Sequence, residues 1–302
     1  LDVVNARGPG LLSDLAISFF GPRRPLLATV VGDPEGVWGS EKSVYRNFPF
    51  LWPFRRYVGK WMAYRYRRLM RHADCVVGVA TYLAEKFRHS PNQPIAQIAD
   101  TKLREEHFIA PRGREGPMLG VVAGRVWEHK NYQTLICAVA KARKGGCDCG
   151  IRIAGGGYYR EELERLASEL GVAEHVRLLG RIESQDELWR HYREASFSFL
   201  LSYSEGLPLA AIEAMATGLP MIIADLPYAN DIVSNGVEGF RLGPEDADGA
   251  ASCLVKWAED EELRMRMAQA AFERARQFSI KNQVEEFAEL AKTVYENSGE
   301  RR

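Results

Sequence analysis

Short apolar runs and longer stretches of helical periodicity take turns along the chain. Apolar runs of about four to eight residues suit buried strands, and apolar positions recurring every three or four residues suit helices. On that reading Leu1–Asn5 is a strand, Leu11–Phe20 a helix and Leu26–Val31 a second strand. Ala73–Val79 follows as a strand, Thr81–Phe87 begins a helix, and Ile95–Ala99 reads as one more short strand. Pro111–Pro117, with Arg, Gly and Glu between the prolines, reads as a linker. Past it the pattern restarts, with strands at Met118–Ala123, Ile151–Ala154, Val176–Leu179, Phe197–Leu201 and Met221–Ala224. Helices Tyr132–Lys144, Arg160–Leu170, Asp186–Glu194 and Leu209–Ala216 fall between them. Leu263–Gln277 and Ile280–Glu296 are amphipathic helices that close the chain. Strand–helix alternation twice over predicts the α/β class with two open parallel sheets.

Composition narrows the class. A chain of 302 residues is long enough for about two domains, and 46% hydrophobic content supports full cores. A formal charge of zero argues against a global nucleic-acid footprint, so no nucleic-acid partner is expected. No stretch reaches the roughly 20 unbroken apolar residues of a membrane helix, and no signal peptide is visible. The five cysteines form no regular framework, which reads as free thiols in a reducing cytoplasm. Cys147-Asp148-Cys149 lacks the gap usual for zinc and has no second pair. Asp246-Ala247-Asp248 sits at a helix start, where acids serve the N-terminus rather than a metal. No metal site is therefore expected. Leu1 opens directly on a strand-like run, and the expectation is a chain whose natural N-terminus lies upstream.

The chemistry gathers around Ser202–Pro220. A buried strand enters, Gly206 and Pro208 break it, and good helix formers run from Leu209 to Ala216 before Gly218 and Pro220 stop them. Pro208 suits the first helical turn. Glu205 lies in the loop before this helix and Glu213 lies inside it. A helix N-terminus offers free N–H groups, and carboxylates accept from sugar and ribose hydroxyls. A second constellation is Gly124-Arg125-Val126-Trp127-Glu128-His129-Lys130-Asn131, between a strand and a helix. Arg125 and Lys130 can close on a diphosphate from two sides, one as a fork and one as a point charge. His129 reads as a loop residue without a catalytic role. Gly155-Gly156-Gly157 after a strand would allow close approach of phosphate or backbone, though the spacing is not that of a dinucleotide fingerprint.

Glu-x7-Glu within EGLPLAAIEAMATGLP resembles the signature of family 4 glycosyltransferases, retaining enzymes of the GT-B fold with two Rossmann-like domains. The resemblance implies donor-sugar contact for Glu205 and ribose contact for Glu213, with the backbone of Gly206, Leu207, Pro208 and Leu209 holding the sugar. It implies diphosphate binding by Arg125 and Lys130 beside Gly124, and nucleotide-base contact near Arg181 and Ile182. The expected domains are residues 1–111 on the acceptor side, 112–278 for the nucleotide-sugar, and a last helix, 279–302, crossing back. The family's acceptor-side His residues have no counterpart: Asn5, Ala6 and Arg7 stand in one place and Val31 in the other. Arg7 is a candidate for an anionic acceptor and Asp33 for an acceptor hydroxyl. The competing reading of each is a loop charge facing water.

The stretch Pro53–His72 carries seven Lys or Arg and no acid, interleaved with aromatics. Phe54, Val58, Trp61 or Met62, and Leu69 recur at near-helical spacing. Two readings stand open: an interfacial helix near anionic lipid, and a core-facing helix with a solvated basic face. The first would make the protein peripheral on the inner face of the membrane.

The implied reaction moves a hexosyl group from a nucleotide diphospho-sugar, a UDP-sugar by preference, to a glycan or lipid-linked acceptor. No cofactor and no divalent metal are expected. A non-catalytic sugar-nucleotide-binding module and a GT-B sugar-nucleotide epimerase are the alternatives.

Overall fold

The computed structural model describes residues 3–8, 11–20, 24–33, 54–113 and 116–299. Leu1, Pro53 and part of the Pro111–Pro117 stretch lie outside the described residues. The chain divides into two compact units. One comprises Leu1–Thr101, Ser204–Leu207 and Ile280–Arg302; the other comprises Lys102–Tyr203 and Pro208–Ser279.

The first unit holds β1 (Val4–Gly8), α1 (Leu11–Phe20), β2 (Leu26–Val30), α2 (Arg55–Leu69), β3 (Cys75–Gly78), α3 (Thr81–Phe87) and β4 (Ile95–Gln97). The strands form one parallel sheet in the order β1-β2-β3-β4. Strand side chains alternate between faces, and both faces here are covered, so β2 reads as an unbroken apolar run. Leu26, Ala28 and Val30 pack toward Ile17, Tyr66, Met70, Leu83 and Phe87. Leu27, Cys75 and Val77 pack on the opposite face against Val294, Phe287 and Leu290. The strand β1 extends to Gly8, beyond Asn5, because Ala6 and Gly8 alternate inward. Asn5 and Arg7 thus lie within β1 and on its outward side, rather than in a loop after it.

The second unit holds β5 (Met118–Ala123), α4 (Tyr132–Lys144), β6 (Cys149–Ala154), α5 (Arg160–Glu169), β7 (Val176–Gly180), α6 (Gln185–Glu194), β8 (Phe197–Leu200), α7 (Leu209–Ala216), β9 (Met221–Ala224), β10 (Gly239–Leu242), α8 (Ala247–Glu259) and α9 (Glu261–Arg276). All six strands run parallel in the order β10-β9-β8-β5-β6-β7. The chain steps outward from β5 through β6 and β7, then returns to the other side of β5 as β8. Strand order reverses there, and open α/β sheets bind ligands at the carboxyl ends of strands at such a point. The helix α10 (Ile280–Gly299) belongs to the first unit.

Local chemistry sets the ends of these elements. Pro208 is the residue before α7 (φ −80°, ψ 89°), one position short of the first helical turn. Gly218, at φ +71°, ends α7, and a Cβ there would lie 2.7 Å from the Pro111 backbone. Asp246 caps α8 by accepting from the Gly249 N–H at 2.8 Å, the capping role its position suggests. Asp248 pairs with Lys141 at 2.5 Å.

Candidate active site

The loop from β5 to α4 carries both predicted cations. It is stitched to the loop after β6 by backbone bonds: Gly124 N to Ala154 O, Val126 N to Gly156 O, and Tyr159 N to Val126 O, at 2.9, 2.9 and 3.1 Å. Glycines are required where the two loops meet. A Cβ on Gly155 would lie 1.8 Å from Gly124 O, and one on Gly157 would lie 2.1 Å from Val126 O. Gly155-Gly156-Gly157 therefore serves first as the seat of the cation-bearing loop.

Within this loop Arg125 is exposed, and its guanidinium stacks over the Trp127 ring at 3.9 Å. Lys130 turns back over Gly124, where a Cβ would lie 3.9 Å from the ammonium and 2.9 Å from the Tyr132 hydroxyl. Gly124 thus leaves room for both groups above the end of β5. The next residue, Asn131, is buried in the left-handed region (φ 55°, ψ 42°), where Asn is among the few tolerated side chains. Its Nδ2 donates to Leu201 O at 3.0 Å and Pro244 O at 2.6 Å, and its Oδ1 accepts from Thr134 at 3.0 Å. The His129 carbonyl accepts from Tyr203 N at 3.0 Å. Asn131 thereby ties the cation loop to the end of β8. The sequence places Asn131 in this loop without a role for it; a polar residue between Lys130 and a helix start was the available signal.

Glu213 sits on α7 in the same unit. Tyr192, fully buried on α6, points its hydroxyl at Ala210 O (3.3 Å) and Glu213 Oε2 (3.5 Å). Burial pushes the Glu213 carboxyl up to about 6, opposed by the Tyr192 hydroxyl and by Lys102. Burial also lifts the Tyr192 phenol well above its ordinary value, helped by Glu213 and by Tyr132. Tyr132 therefore stands near both Lys130 and Tyr192. Tyr192 thus meets Glu213 directly, and Tyr132 follows the cation loop in sequence; neither buried tyrosine was singled out from the sequence.

Glu205 falls with the first unit. Its carbonyl accepts from the Tyr82 hydroxyl at 2.7 Å, and a Cβ on Gly206 would lie 2.9 Å from Val31 O. Leu207 packs against the core that contains Val30. Arg181 is exposed and pairs with Glu183 at 2.9 Å, and Ile182 adjoins it after β7. A Cβ on Gly156 would lie 3.7 Å from Arg181 Cβ, which puts Arg181 beside the loop after β6. Arg7 pairs with Asp100 at 2.5 Å, and Asp33 pairs with Lys86 at 2.7 Å. Both acceptor-side candidates are thus ion-paired, the Arg7–Asp100 pair on the exposed surface and the Asp33–Lys86 pair partly buried. Among the described residues, no helix is long and apolar enough to cross a membrane.

The family described as "Glycosyl transferases group 1" matches residues 104–274, the segment that carries the cation loop and Glu213. The chain belongs to this family. This member of group 1 is 34% identical over 162 residues to the D-inositol 3-phosphate glycosyltransferase of Corynebacterium efficiens, covering 52% of this chain and 38% of that one. It therefore spans less than half the length of that relative. Its fold resembles sucrose-phosphate synthase from Thermosynechococcus elongatus (TM-score 0.77, 18% identity, 98% and 74% of the two chains). It also resembles Anabaena HepE in complex with UDP (TM-score 0.74, 19% identity, 97% and 79%). These likenesses and the two parallel sheets make the fold GT-B.

Proposed function

We propose that this group 1 family member moves a hexosyl group from a nucleotide diphospho-sugar to a glycan or lipid-linked acceptor, with retention, as family 4 enzymes do. The observation that carries the reading lies within the second unit. Lys130 and Arg125 ride on one braced loop after β5, and Glu213 stands on α7 of the same unit against the Tyr192 hydroxyl. Cations suit a diphosphate and a carboxylate suits ribose hydroxyls.

The reaction requires charge compensation where the leaving group departs. As the bond from the anomeric carbon to the phosphate oxygen breaks, its electron pair stays on the diphosphate. Lys130 and Arg125 would face that growing charge, supplying what a divalent cation supplies in other transferases. The acceptor oxygen would attack from the face the phosphate leaves, and the phosphate oxygen would take the acceptor's proton. The family resemblance assigns contact with the sugar to Glu205 and the backbone of Gly206–Leu209. UDP-sugars are the first donors to test, since HepE, a protein of similar fold, binds UDP.

Thermal shift with UDP-, GDP- and ADP-sugars, with a chelator present, tests the reading. A cognate donor at 100 times its dissociation constant should add about 2.7 kcal/mol of stability. Failure of every donor to move the transition would refute it.

A further inference from the structure

We propose that the outward faces of α1 and α2 together form a docking surface for a bilayer that carries anionic lipid. The two helices are neighbours in one layer, joined by an ion pair between Asp14 and Arg65 at 3.0 Å. Each buries one face in the same core, Ile17 from α1 and Tyr66 from α2. At about 100° per residue, the residues opposite those buried positions are Leu12, Leu15 and Phe19 on α1 and Tyr57, Trp61 and Tyr64 on α2. All six are exposed, Leu12 at 83% and Tyr57 at 74%. Large apolar and aromatic side chains therefore point away from the core on adjacent helices.

The pattern corrects one part of the sequence reading. Phe54, just before α2, and Trp61 on it are exposed, and the core side is formed by Ala63, Tyr66 and Leu69, with Met70 just past the helix. Both sides of α2 are rich in apolar groups, so spacing alone could not say which is buried.

Charge selects the occupant. The helix α2 carries no acid, and Asp14, the acid of α1, is already paired with Arg65. Lys60, Arg65 and Arg68 flank the aromatic stripe, with Arg65 and Arg68 set near the rings of Trp61 and Tyr64 at 5.7 and 5.9 Å. Aromatic rings at headgroup depth with cations beside them match an anionic lipid surface. A second copy fits worse, because a two-fold contact would set the same cations against each other. The inference stands apart from the sugar-transfer reading, since lipid binding needs no donor.

The test is co-sedimentation of the full chain with phosphatidylcholine vesicles, with and without phosphatidylglycerol. Binding is expected to the anionic vesicles and to fall with salt. Lys60→Glu and Arg68→Glu should each weaken it by about tenfold or more. Trp61→Ser should weaken it, and so should Leu12→Ser on the neighbouring helix, with the melting temperature unchanged because both residues are exposed. Equal binding to both kinds of vesicle, or none to either, overturns the proposal. So does loss with Trp61→Ser but not with Leu12→Ser, which would reduce the surface to one helix. A stable dimer in sedimentation velocity that is broken by Trp61→Ser would assign the face to a second copy instead.

Discussion

The Arg125 guanidinium lies 3.9 Å above the ring of Trp127. An exposed arginine loses much rotamer freedom when it binds a ligand, and a ring beneath the planar group limits that loss in advance. The ring is itself fixed, since Trp127 packs near His129 and Tyr158, and its Cδ1 would lie 2.8 Å from a Cβ on Gly157. A ring beneath the guanidinium leaves its in-plane N–H donors for the diphosphate of the proposed donor.

Trp127→Ala should therefore weaken donor binding by about 0.5–2 kcal/mol, the range for such a contact. Arg125→Ala should do at least as much. The double variant should be little worse than Arg125→Ala alone, because Trp127 acts through the arginine. Nucleotide titration of all four proteins measures the cycle, and full additivity would separate the two residues.

Asn131 gives a prediction about stability. Asn131→Asp replaces a donor that serves two carbonyls, Leu201 O and Pro244 O, with an acceptor facing them. The loss should be about 1–3 kcal/mol or more. Asn131→Gly keeps the left-handed backbone but loses the same bonds, so it should fall between the parent and Asn131→Asp. Urea unfolding checks the order.

Glu213 gives a prediction about pH. Its folded pKa of about 6 lies above the ordinary 4.5, so the folded state binds the proton more tightly than the unfolded state. Stability then falls as pH rises from 4.5 to about 6, and above that window the ionised carboxylate costs on the order of 2 kcal/mol. Glu213→Gln removes the titration. It should be more stable than the parent at neutral pH, with the difference vanishing near pH 4.5. Nucleotide affinity should move the other way, because the ionised carboxylate is the better acceptor for ribose hydroxyls. In the parent it should rise through pH 6; in Glu213→Gln it should be weaker and flat there.

The elements of the second unit were legible because each is short, strongly patterned and punctuated by Gly or Pro. Tyr132–Lys144, Leu209–Ala216, Met118–Ala123 and Met221–Ala224 match their expected ranges. Arg125, Lys130 and Glu213, the candidate donor-binding groups of this unit, could be picked out from residue type and spacing. The supports were not. Asn131 works through a left-handed backbone and carbonyls some 70 and 113 residues away. Tyr132 and Tyr192 look like core aromatics from sequence alone, and only packing brings the Tyr192 hydroxyl to Glu213 and the Tyr132 hydroxyl to the Gly124 turn. In the first unit, β1 runs past its apolar start because its pairing with β2 continues to Gly8 opposite Val30, while Ala6 and Gly8 carry no strong hydrophobic signal in the sequence.

The most direct test of the donor site is calorimetric titration of the cognate nucleoside diphosphate into the parent and Lys130→Ala, with chelator present and folding confirmed by thermal melt. The parent should bind, and Lys130→Ala should lose at least about tenfold in affinity, since one of the charges proposed to face the diphosphate is gone. Equal affinity in the two proteins would contradict it.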